Sequence, residues 1–307
     1  MIAFILAKKI LSLFLMMAMG VILVKSKVIK VEDSRSISLI SLYLITPCAI
    51  FSAFQMAYTP QILKGLILAA AAAIILHIIM IILTKLLEKP MKLDAVEKAS
   101  IIYSNAGNLI IPIVTAIFGK EWVIYSAGYL SVQTILLWSH GRMTVCGEKK
   151  VDVRKIFMNI NILAAVAGLV CFILGAMLPA PMLDAVDSVG TMIGPSAMIV
   201  TGVLIGSMDF QKILSYRRLW FVSVLRLIIY PLIGVAFLKF SGITGLVPEG
   251  ATILMITLLA MTTPSASTVT QMAQVYGKDA DYASAINVVT TLCCIFTMPL
   301  MVTLYQM

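Results

Sequence analysis

Ten stretches of this chain are continuously apolar over about 20 residues, the length a helix needs to cross a hydrocarbon core of about 30 Å. They run 2–24, 36–56, 62–86, 99–119, 122–140, 160–179, 184–207, 219–240, 250–277 and 280–304. The segments are too long and too continuously apolar to read as barrel strands. The pattern predicts an all-α polytopic membrane protein of ten transmembrane helices.

Composition agrees with the pattern. Of the 307 residues, 61% are hydrophobic and only 12% are charged, about half the charged fraction of a soluble domain. The net charge of +9 follows from where the basic residues stand. Connections after spans 1, 3, 5, 7 and 9 carry seventeen Lys and Arg, including Lys149, Lys150 and Lys155, against three in the alternate connections (Lys64, Lys120 and Lys239). By the positive-inside rule both termini are predicted to be extracytoplasmic, in a multi-pass protein of the cytoplasmic membrane. No nucleic-acid partner is expected.

Five spans per half force the second half to insert upside down relative to the first. The predicted repeats are 1–155 and 156–307. Pro47 lies mid-span in the second segment and Pro195 in the seventh. Span 4 runs SNAGNLIIPIVTAIFGKE from Ser104, and span 9 runs TTPSASTVTQMAQVYGKD from Thr262. Both end in Gly-Lys-acid, Gly119-Lys120-Glu121 and Gly277-Lys278-Asp279. Matched, interrupted helices in inverted repeats are a mark of secondary transporters.

These two spans also hold the polar, helix-breaking residues. In span 4 they are Asn105, Gly107, Asn108 and Pro112; in span 9 they include Thr263, Pro264, Ser265, Ser267 and Gln271. In hydrocarbon the backbone groups freed by a break must find partners inside the protein or along a wet cavity. Two matched breaks are therefore expected to meet near mid-membrane and to point half-helix N-termini at a bound anion. Gln133, Asn287 and Thr290 are candidate additional polar lining. The competing reading of the small and hydroxyl residues is close helix packing alone.

At these segments the sequence resembles the auxin efflux carrier family, which includes plant PIN-type carriers and bacterial organic-acid permeases. The resemblance rests on Asn105 with Pro112, on Pro264 with Tyr276, and on Pro299. It implies two crossing broken helices with Asn105 at the crossover contacting an anionic substrate, and Pro112 and Pro264 holding the breaks. It also implies elevator-like movement against a scaffold of spans 1, 2, 6 and 7. Val269 stands where plant carriers have a second proline, and their long central loop is reduced here to about residues 141–159.

Other chemistry is sparse. No carboxylate falls at mid-depth, so no acidic proton carrier is predicted. Arg226 is expected to snorkel to the interface, and His77 and His140 to be structural. Gly194-Pro195-Ser196-Ala197 superficially suggests an intramembrane serine protease, with only those two histidines as bases. Neither enzyme chemistry, nor cofactor, nor metal is expected. A small organic anion, a carboxylate or auxin-like acid, is the expected substrate, and a passive anion channel is the nearer rival. The coupling ion and a homodimer are left open.

Overall fold

The computed structural model describes residues 2–147, 154, 158–208 and 210–307. Lys149, Lys150, Lys155 and the predicted boundary between the repeats at 155/156 lie outside the described residues. Among the described residues every regular element is helical; the longer ones are α1 (Ile2–Lys25), α2 (Val31–Ala53), α3 (Pro60–Met91), α4 (Ala95–Ile102), α5 (Ala106–Ile117), α6 (123–146), α7 (Ile160–Leu174), α8 (Ala180–Gly190), α9 (Ile193–Ser207), α10 (Leu219–Phe240), α11 (Gly250–Thr262), α12 (Ser267–Val275) and α13 (Ala280–Gln306). Six helical stretches among them are long and apolar enough to cross a membrane: α1, α2, α3, α8 with α9, α10 and α13. Shorter apolar helices occupy Ala106–Ile117, Ile160–Leu174 and Gly250–Thr262.

Local sequence explains the interruptions. A turn of π-helix at Ser41–Ile45 immediately precedes Thr46-Pro47, and another at Leu225–Ile229 precedes Tyr230-Pro231. Proline lacks the N–H that would continue the ladder, and the widened turn absorbs the mismatch. Lys92 ends α3 in the left-handed conformation (φ 49°), and Asp94 and Glu97 then form a reciprocal capping box that starts α4.

Two sets of helices pack among themselves and are joined by contacts of α1 with α5 and α13. On one side α1 lies along α9, and α2 packs on α7 and α8. The α1/α9 contact is backbone to backbone: a Cβ on Gly202 would stand 1.9 Å from the Met17 carbonyl oxygen. Ser41 Oγ donates to Ser196 Oγ (3.1 Å), which ties α2 to α9. On the other side α3 packs on α6 and α11, and α10 and α12 pack on α13. A buried node holds the ends of this second group together. Glu97, fully buried, accepts from Arg218 Nε (2.6 Å) and Nη2 (2.8 Å) and from the Tyr282 hydroxyl (3.0 Å). Outward-facing Leu11, Leu15, Met19, Ile67, Ile78, Val166, Val170 and Phe296 are exposed, an apolar exterior of the kind lipid covers.

Candidate functional site

The two broken segments meet. Between α4 and α5 the chain is extended at Tyr103–Ser104, and between α11 and α12 it is extended around Pro264–Ala266. The two pieces pair antiparallel at Ser104 and Ser265. Asn105 N–H donates to the Pro264 carbonyl (2.7 Å), and Ala266 N–H donates to the Tyr103 carbonyl (3.0 Å). In such a pair the central residues turn their own N–H and C=O outward, away from the partner. Something else must satisfy them.

Side chains from two further helices do so. Gln133 on α6 serves Ser104: its Oε1 accepts from the Ser104 N–H (3.1 Å) and hydroxyl, and its Nε2 donates to the Ser104 carbonyl (2.9 Å). Asn287 and Thr290 on α13 serve Ser265, with Asn287 Nδ2 donating to its carbonyl (2.6 Å) and Thr290 Oγ1 accepting its N–H (3.1 Å). These three residues, singled out in the sequence as polar lining, therefore brace the crossed backbone.

The carbonyls freed at the ends of α4 and α11 are taken by one residue that the sequence reading misplaced. Arg226 does not snorkel. It is fully buried, its Nη1 donates to Ile101 O (3.0 Å), and its Nη2 donates to Met261 O and Thr263 O (2.7 Å each). Three carbonyl acceptors with no ladder partner outweigh the distance to the interface.

The predicted residues fall on both sides of the bridge. Asn105 is buried and precedes the first turn of α5; its Oδ1 accepts from Asn108 Nδ2 (3.0 Å) and lies 3.5 Å from Ser267 Oγ at the start of α12. Among the described residues its Nδ2 has no hydrogen-bond partner. A Cβ on Gly107 would meet nothing within 4 Å, so open space flanks the first turn of α5. Thr263 and Ser265 are fully buried, and the Ser265 hydroxyl has no partner. Pro264 sits in the break. Pro112 does not: it lies inside α5, beside Gly194 of α9, so the first break is held by Gln133 and the bridge. Gln271 is exposed on α12, one turn beyond Ser267. His77 Nδ1 donates to Ala73 O (2.8 Å), and His140 pairs with the Tyr103 hydroxyl (2.8 Å); neither neighbours Ser196, whose hydroxyl is bonded to Ser41 and Ile193.

With this geometry in place, sequence comparison decides the family. The profile described as "Membrane transport protein" matches residues 5–149 and 143–302. The chain belongs to that family. It is a membrane transporter of the auxin efflux carrier, PIN-like group, and a multi-pass membrane protein. A comparison with curated proteins returns no match.

Proposed function

We propose that this membrane transporter is a secondary carrier that moves a small organic anion, a carboxylate or auxin-like acid, across the cytoplasmic membrane by an elevator-type movement. In this reading α4/α5 and α11/α12 are the broken fourth and ninth of ten spans. The halves are inverted repeats, both termini are extracytoplasmic, and the anion lies beside the Ser104–Ser265 crossover. One observation carries it: the antiparallel bridge brings the N-terminal turns of α5 and α12 together, and half-helix N-termini favour negative charge. The free Asn105 amide and the open space beside Gly107 supply a donor and room for a ligand. The pseudo-symmetric bracing by Gln133 and by Asn287 with Thr290 supports an inverted repeat. Apolar side chains, among them Ile10, Leu13, Leu109, Ile113 and Met198, meet at the surface between the two packed groups, which suits sliding.

The test is uptake into proteoliposomes against a panel of carboxylates, with Asn105→Ala beside the parent. Asn105→Ala should lower uptake at least about tenfold, the worth of one charge-assisted hydrogen bond or more. Uptake unchanged in Asn105→Ala would place the substrate elsewhere, and currents far above carrier turnover would favour a channel.

A further inference from the structure

Arg226 carries a consequence beyond bracing. Among the described residues no carboxylate forms an ion pair with it, and a buried charge without a counter-charge is costly. Its compensation comes from backbone. Ile101 is next to last in α4, Met261 is next to last in α11, and Thr263 follows the end of α11. Each helix C-terminus contributes about half a negative charge. Two of them together about match one guanidinium. In transporters built on broken helices, such C-terminal carbonyls are where a coupling Na⁺ is held, while the N-termini face the substrate carboxylate.

We propose that Arg226 is the resident cation of the crossover: it fills the place a coupling metal ion would take, cancels both C-terminal dipoles, and leaves the N-termini of α5 and α12 to hold one singly charged organic anion without Na⁺. Arg226 is thus a positioning residue, acting on the substrate through α4 and α11. The inference rests on the anion-site reading above. Two nitrogens of Arg226 reach carbonyls from two different helices at once, so one positive charge faces both C-termini.

The test uses the purified full chain in proteoliposomes and nanodiscs. Acetate, benzoate and phenylacetate serve as monocarboxylates, malonate and succinate as dicarboxylates, each in Na⁺ and in K⁺ buffer. The expected result is binding of a monocarboxylate, stronger than any dicarboxylate, with the same affinity in both salts. Arg226→Lys, whose ammonium keeps the charge, should stay within about tenfold of the parent. Arg226→Ala should weaken binding by more than that, and millimolar guanidinium should restore it in Arg226→Ala but not in Asn105→Ala. The salt comparison on the parent protein and Arg226→Lys remain decisive if Arg226→Ala does not fold. Parent binding that requires Na⁺ overturns the proposal. So does preference for a dicarboxylate, a folded Arg226→Lys that binds more than about tenfold more weakly than the parent, or a folded Arg226→Ala that binds as the parent does or ignores guanidinium. If no acid binds the parent at all, the anion-site reading beneath it fails instead.

Discussion

At the scale of single residues, the crossover shows where intramembrane polarity is spent. Gln133 answers three groups of Ser104 with one amide. Gln133→Leu keeps approximate volume but strands a buried N–H and C=O, at about 1–3 kcal/mol each. We expect about 2–5 kcal/mol of lost stability, measured by denaturation in detergent; a loss under 1 kcal/mol would show that Ser104 finds other partners. Gln271→Ala, at an exposed position without such a bond, should leave stability within about 0.5 kcal/mol. Gln133, Asn287 and Thr290 were legible as polar residues in apolar runs. Their duties were not, because each serves a backbone group more than twenty residues away. Arg226 was misread for the same reason: its depth along one helix says nothing of carbonyls brought to it from residues 101, 261 and 263.

At the scale of elements, hydropathy located the six helical stretches long enough to cross a membrane and the three shorter apolar ones among the described residues, because apolar length is set by bilayer thickness and survives any packing detail. Breaks were less legible. Pro264 marked its own, whereas Pro112 pointed seven residues past the break at Tyr103–Asn105, since a helix tolerates an internal proline when its neighbours fit around it. Close helix approaches left only glycines as a trace. Gly202→Ala would drive a methyl into the Met17 carbonyl and should cost about 1–3 kcal/mol as α1 and α9 separate. Gly245→Ala, with nothing within 4 Å, should be neutral in the same melting assay. The Glu97 node joins α4, α10 and α13, so Glu97→Gln should lower the melting temperature; an unchanged melt would show that packing alone holds these ends.

At the scale of the molecule, one ion pair links the two packed groups at an edge. Asp187 of α8 accepts from Ser52 of α2 and pairs with Lys120, in the turn between α5 and α6. If the groups slide, this ion pair must part. Asp187→Asn should change stability by no more than about 1 kcal/mol yet alter initial uptake rates; an unaltered rate would separate Asp187 from the movement. None of this was visible in the sequence, which fixes the charges but not which turn faces which helix. The bridge at Ser104 and Ser265 constrains the chain in another way. Its contacts are made by backbone, so they depend on residue count more than on residue identity. Adding or deleting a single residue in either extended segment would swap the inward and outward backbone groups, because successive residues of a strand alternate in direction. The gene should thus tolerate point changes at these serines far better than single-codon insertions or deletions beside them.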